Sequence, residues 1–264
     1  MNRFIKSLYP LLIILVAILF LRIPSFFEPH WYGDEGIYLA IGQAMQKGAV
    51  LYRDIWDNKP PLLYLIYAIS PTLLWAKVSA TIFVLGTIIF IYKITKYILK
   101  EDCFALLAMT LTGVLLSLPI FEGTIANAEL YFTLPIAIGA YIVIARSVTT
   151  KQSILVGFLF TVAFLLKVPA VFDFIGLFLA YFIIHKNIKP FFGIGLTFII
   201  LLTPIILYFY LNHALGDFIT ASFSQNASYV AVDTGPLSKL SNPLFVHAGM
   251  LLVVLFGLII LFVK

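Results

Sequence analysis

Apolar runs of about 15 to 24 residues alternate along the chain with short polar passages, a length that suits helices crossing a bilayer rather than the ten-residue alternating strands of a barrel. The first run, residues 8–23, follows Arg3 and Lys6 as the core of a signal peptide would. Arg22 stands where a small-residue cleavage site belongs, which predicts a retained span. Further spans are expected from Ala76 through TIFVLGTIIFIYKITKYILK and over residues 104–119, 130–145, 191–211 and 244–263. The stretch 154–184 is roughly 31 residues, longer than the 20 or so that cross a bilayer. Lys167, Pro169 and Asp173 interrupt it, which predicts a helical hairpin with its tip there. Residues 212–242 read as a long polar loop. The pattern predicts an all-α polytopic membrane protein of about eight transmembrane helices, a single domain over residues 1–264 with no internal repeat.

One long polar passage breaks the pattern in the first half: DEGIYLAIGQAMQKGAVLYRDIWDNKPP, from Asp34 to Pro61. Before it, PSFFEPH ends the first span and sets Phe26, Phe27, Trp31 and Tyr32 at interfacial depth. Asp34 is expected at the N-cap of a short helix whose apolar positions Ile37, Ala40, Ile41, Ala44 and Met45 recur at helical spacing and which Lys47 and Gly48 close. That helix is roughly 16 to 20 Å long, too short to span. Lys59 precedes Pro60 and Pro61, which favour an extended approach to a second short helix, PLLYLIYAIS, ended by Pro71. Residues 25–75 therefore read as an outer-face loop carrying two interfacial helices.

Composition agrees, with 62% hydrophobic and 11% charged residues against roughly 25% charged in a soluble domain, and a mean hydropathy of +1.07. In such a chain the formal charge of +5 is no nucleic-acid signal; it reports orientation through the positive-inside rule. With the N-terminus cytoplasmic, Arg3, Lys6, Lys93, Lys96, Lys100, Arg146, Lys151, Lys186, Lys189 and Lys264 face the cytoplasm. Glu28, Asp34, Glu35, Asp54, Asp57, Glu122, Glu129, Asp217 and Asp233 gather on the extracytoplasmic side, where chemistry is expected. Cys103 has no second cysteine to pair with, and His30, His185, His213 and His247 are too scattered for a histidine metal site.

A carboxylate after the first span, an interfacial helix and the K-P-P turn at residues 59–61 resemble the membrane glycosyltransferases of the GT-C type. The nearest likeness is to bacterial relatives of dolichyl-phosphate-mannose protein mannosyltransferase and of the lipid A aminoarabinose transferase. The specific part is DEGIYLAIGQAMQKGAVLYRDIWDNKPPLLY together with ANAELYF; elsewhere only the order of spans agrees. The resemblance implies a multi-pass cell-membrane enzyme. It would take a sugar from a polyprenyl-phosphate carrier on the periplasmic or lumenal face and pass it to a protein, lipid A or polysaccharide acceptor. At matching positions it implies Asp34 as the catalytic aspartate of a D-E pair, Lys59 as the lysine contacting the carrier phosphate, and Glu129 as a second acid. A divalent ion held by Asp34 and Glu129 is the one cofactor it allows, since some relatives use one and others do not. Asn58 departs from the pattern, standing directly before Lys59 where several relatives carry an acid, with Asp57 one residue further back. Relatives also continue beyond this length, so the chain is expected to be the N-terminal part of a longer architecture.

The chemistry asks for these residue types. In an inverting glycosyl transfer a carboxylate takes the proton of the attacking acceptor. A departing phosphate needs no proton, but its charge needs a cation in a partly dry site. Asp34 and Lys59 suit these tasks. Glu35, Arg53 and Asp57 flank them as substrate contacts, Lys77 is a further cation, and Tyr38, Tyr52, Trp56 and Tyr64 offer faces for a sugar or a lipid groove. Plainer readings compete: Asp34 as a cap only, Lys59 as a head-group lysine, Glu129 as a helix start, and Lys167 with Asp173 as a snorkelling or mutually paired hairpin tip. So do other functions, namely a multispan transporter or flippase for a lipid-linked substrate and a non-catalytic membrane protein. The sequon at Asn226 is a common chance match.

Overall fold

Long apolar segments fold as helices because only a helix satisfies its own backbone inside hydrocarbon, and the computed structural model, which describes residues 3–28, 32–70, 72–145 and 148–225, is predominantly helical there. Trp31, His30, Arg146, Asp233, His247, the Asn226 sequon and the expected span at 244–263 lie outside them. The chain forms a compact unit over Met1–Ser222 and a second over Phe223–Lys264; only residues 223–225 of the second are described.

Among the described residues, four helices are long and apolar enough to cross a membrane: α1 (Arg3–Arg22, extended by a 3-10 turn over Ile23–Phe27), α4 (Leu73–Leu99), α6 (Ala128–Ala145) and α9 (Lys189–Leu211). Three shorter apolar helices accompany them, α5 (Asp102–Leu115), α7 (Thr150–Leu166) and α8 (Ala170–His185). The expected hairpin at 154–184 is therefore present, and its break is where Lys167 leaves the helix in an extended conformation ahead of Pro169. Two amphipathic helices, α2 (Gly33–Gln46) and α3 (Pro61–Ile69), form the first polar passage, as the pattern predicts. The expected loop after Asn212 is instead helical at its start, through α10 (Leu215–Ile219) and a π-helical turn over Thr220–Ser224. Phe218 explains the difference, since it is buried and stacks on Phe209 at 4.6 Å.

Packing follows small and β-branched residues. Ala76, Ala80, Val84 and Ile88 recur every four residues on α4 and are all fully buried, giving a flat face for α5 and α6. Ile18 of α1 joins Ile88, Tyr92, Ala105 and Met109 in one apolar cluster. Val143, Val156, Ala163, Phe174 and Tyr181 form another among α6, α7 and α8. Outside these seams the helices are apolar and bare, as at Leu12, Ile13 and Phe20 on α1 and Phe192, Ile199 and Ile200 on α9. Such a surface suits lipid and would be an aggregation liability in water.

Polar side-chain contacts between elements gather near the two ends of the bundle. One end holds the contacts of Arg22, Lys77, Lys167 and Arg53. The other holds Lys96 with Asp102 at 2.7 Å and the Thr149–Gln152 capping box that opens α7. The first end is braced by Arg22, 1% exposed, which donates to Thr81 Oγ1 (2.9 Å) and to the carbonyls of Leu116 (2.6 Å) and Gly123 (2.8 Å). That clamp fixes the segment 116–127 over α1 and α4.

Candidate active site

Asp34 sits two residues deeper in α2 than expected. The cap position is Tyr32, with no side-chain cap bond, and Asp34 lies in the first helical turn. Its carboxylate is thereby released from capping and turns to the residue one turn ahead: Tyr38 Oη donates to Asp34 Oδ2 at 3.1 Å. The same hydroxyl lies 3.5 Å from Asn127 Oδ1. Asn127 Nδ2 donates to Glu122 Oε2 (3.4 Å) and Tyr32 Oη to Glu122 Oε1 (3.0 Å), so the segment before α6 closes a polar ring around the start of α2. Burial, then the Asp34 carboxylate, pushes the Tyr38 phenol far above its ordinary 10.0. Tyr38 therefore stays protonated and remains a donor to Asp34.

Glu35, expected among the substrate contacts, points the other way and is 0% exposed. Its Oε1 accepts from the Ala126 amide at 2.7 Å, and its Oε2 lies 3.6 Å from Lys77 Nζ. Lys77 is 2% exposed and also donates to Glu28 at 3.2 Å. Both residues thus tie α2, α4 and the pre-α6 segment together, and neither faces a ligand. Burial outweighs the lysine and holds the Glu35 carboxyl above its ordinary 4.5.

Lys59 is held differently. Lys47 caps α2 and Gly48, at φ +94, reverses the chain; the next residues form a tight knot in which Tyr52 N–H donates to Ile55 O (2.8 Å) and Val50 N–H to Asp54 Oδ2 (2.7 Å). Arg53 is exposed and engaged within the same loop. It grips Asp54 through Nε (2.8 Å) and Nη2 (2.9 Å), holding that carboxyl down at about 2, and donates to Asn212 O at the end of α9 (2.9 Å). The Lys59 backbone is clamped by two buried tyrosines: its carbonyl accepts from Tyr52 Oη (2.6 Å) and its amide donates to Tyr64 Oη (3.1 Å). Tyr64 in turn donates to Asp57 Oδ2 at 2.7 Å. Among the described residues the Lys59 amine has no hydrogen-bond or ion-pair partner, while its main chain is fixed on both sides.

Tyrosine rings join the two halves. Tyr38 meets Tyr64 edge-on at 5.9 Å and Tyr67 at 5.5 Å, and Tyr52 meets Tyr64 at 6.5 Å. Tyr38, Tyr52 and Tyr64 are buried, so they are the wall between Asp34 and Lys59 more than a stacking platform. Glu129, in the first turn of α6, pairs with Lys167. Of the alternatives for Lys167, mutual pairing with Asp173 is not the contact seen, which is with Glu129. Beside the K-P-P turn, Leu51, Pro61, Leu65, Pro204 and Phe209 line an apolar cleft of about 570 Å³ between α3 and α9.

With Asp34 turned to Tyr38 and Glu129 to Lys167, a divalent ion has no ready donor set in this arrangement. No three His, Cys, Asp or Glu side chains gather as ligands among the described residues. Sequence reasoning passed over Tyr38 as a hydrogen-bond partner of the aspartate, and over Asn127, Glu122 and Lys167. Only the intramembrane charge of Lys167 gave a signal of its own. No protein-family model matches the chain, and neither does any curated protein or solved structure; the likeness to the GT-C enzymes rests on the residues quoted above.

Proposed function

We propose that the protein is a membrane glycosyltransferase of the GT-C type, which transfers a sugar from a polyprenyl-phosphate donor to an acceptor on the extracytoplasmic face with inversion. The observation that carries the reading is a half-exposed carboxylate, Asp34, and an amine, Lys59, without a hydrogen-bond or ion-pair partner among the described residues, linked through the Tyr38–Tyr64 ring contact. The acceptor oxygen attacks the anomeric carbon as its proton passes to Asp34. The bond from that carbon to the phosphate oxygen breaks, and its electron pair leaves with the phosphate beside Lys59. The cleft bordered by Pro61 is of ordinary ligand-site size and apolar, which suits the first isoprene units of the carrier.

Sugar transfer from a labelled polyprenyl-phosphate donor by the purified protein tests this. Asp34→Asn should lower turnover by about 10²–10⁴, the usual contribution of a positioned base, with the melting temperature unchanged. Full activity in that variant would reject Asp34 as the base. Flipping of the lipid in vesicles without any transfer would favour the transporter reading instead.

A further inference from the structure

Lys167 is the ionisable group at this end of the bundle that the mechanism above leaves unused. It lies in the turn between α7 and α8, where its backbone N–H closes the last turn of α7 on Ala163 O (2.9 Å) and Pro169 opens α8. Its side chain is 29% exposed, and its ammonium is paired with Glu129. Helix α3, which starts directly after the Lys59-Pro60 dipeptide, packs against α7, whose last residue directly precedes Lys167. Burial, and after it the Lys59 charge, lower the proton affinity of the Lys167 ammonium, with Glu122 acting against them. Glu129 Oε2 is turned away from solvent without a hydrogen-bond partner of its own.

We infer that Lys167 is a second cation for the carrier phosphate, and that it exchanges Glu129 for that phosphate as the sugar leaves. The inference rests on the glycosyltransferase reading. A sugar-bearing polyprenyl phosphate is a diester with one negative charge, which the unpartnered Lys59 answers. When the anomeric bond breaks, its electron pair stays on the phosphate oxygen and the product phosphomonoester carries close to two charges. A second ammonium that engages only then favours the transition state and product over the bound donor, which is how an electrostatic contact accelerates a reaction. A half-buried ammonium is costly without an anion; Glu129 supplies that anion at rest and the phosphate supplies it after transfer. Released Glu129 is then an open carboxylate beside the emptied sugar position. A purely structural Lys167–Glu129 pair predicts something different, because either truncation would then loosen the same turn in the same way.

The discriminating experiment is binding of a long-chain polyprenyl phosphate to the full chain in zwitterionic nanodiscs, with thermal melts run on every variant. Lys167→Gln should weaken binding by roughly tenfold or more, the loss of one charge-assisted hydrogen bond, and Lys167→Arg should restore most of it. Glu129→Gln should tighten binding, since it removes the phosphate's competitor. Equal weakening by Lys167→Gln and Glu129→Gln, or no change in Lys167→Gln, would overturn the exchange while leaving the glycosyltransferase reading intact. Displacement of the polyprenyl phosphate by phosphatidylglycerol or inorganic phosphate at similar concentration would make the pair a general anion site and also overturn it. A folded wild-type protein that does not bind the polyprenyl phosphate would instead remove the glycosyltransferase reading itself.

Discussion

The phenol of Tyr38 donates to the carboxylate of Asp34 at 3.1 Å across one turn of α2, and its ring packs edge-on against Tyr64, which holds the Lys59 amide. A single side chain thus touches both halves of the site. Tyr38→Phe keeps the ring and deletes the donor. A hydrogen bond to a charged group is worth about 1.5–3 kcal/mol, so sugar transfer should fall by about 10- to 150-fold with little change in melting temperature. Unaltered turnover would show that the hydroxyl does not orient the carboxylate.

Glu35 sets a pH dependence of stability. Its folded proton affinity is raised by burial above the ordinary 4.5, so the unfolded chain loses this proton first as pH rises and the folded state binds more protons through that window. Stability is fully present below about 4.5, falls as pH climbs through the raised value, and is flat above it. Melts of the detergent-solubilised protein should show this slope. Glu35→Gln, which cannot titrate, should lack it, and an identical slope in that variant would assign the effect to another group.

Gly42 is where α2 meets α3 most closely. A Cβ there would lie 2.6 Å from the carbonyl carbon of Tyr67 and 2.7 Å from the Ala68 nitrogen, both main-chain atoms that cannot swing aside. Gly42→Ala should therefore cost about 1–3 kcal/mol despite improving helix propensity, and it should move α3 and with it the Lys59 turn. A more stable variant would mean that the two helices part without cost.

Arg22→Met removes three donations at once and strands the Leu116 and Gly123 carbonyls. Each bond to a guanidinium is worth about 1.5–3 kcal/mol before compensation by water. Limited proteolysis should then cut within residues 116–127 much faster than in wild type, and unchanged resistance there would deny Arg22 its bracing role.

Much of this was legible along the chain because apolar length, proline and glycine act locally. Run lengths found the helices of the bundle, Pro60 and Pro61 the start of α3, Gly48 the reversal after α2, and Lys167 with Pro169 the hairpin break. What escaped depends on partners distant in sequence. Asp34 reads as a cap until its carboxylate is seen to accept from the Tyr38 hydroxyl, which also lies against Asn127 Oδ1, and Gly33 entering the helix shifts the cap to Tyr32. Glu35 looks like the twin of Asp34, yet helical rotation turns it towards Lys77 and Ala126. The contacts of Arg53 with Asp54 and with the Asn212 carbonyl at the end of α9 could not be read from its place in the loop. Phe218 is a lone aromatic in a polar stretch, and only its stacking on Phe209 shows why residues 215–219 coil.

The grip of Arg22 on Leu116 and Gly123 joins residues 94 and 101 positions apart. During synthesis the first helix must reach the membrane long before those carbonyls exist, and a guanidinium drawn into the bilayer centre costs about 2.5–3.5 kcal/mol. Arg22 must wait at the water boundary until α5 and the segment behind it arrive. Insertion is therefore ordered: the end of the bundle that Arg22 braces can lock only after the fifth helix is in place.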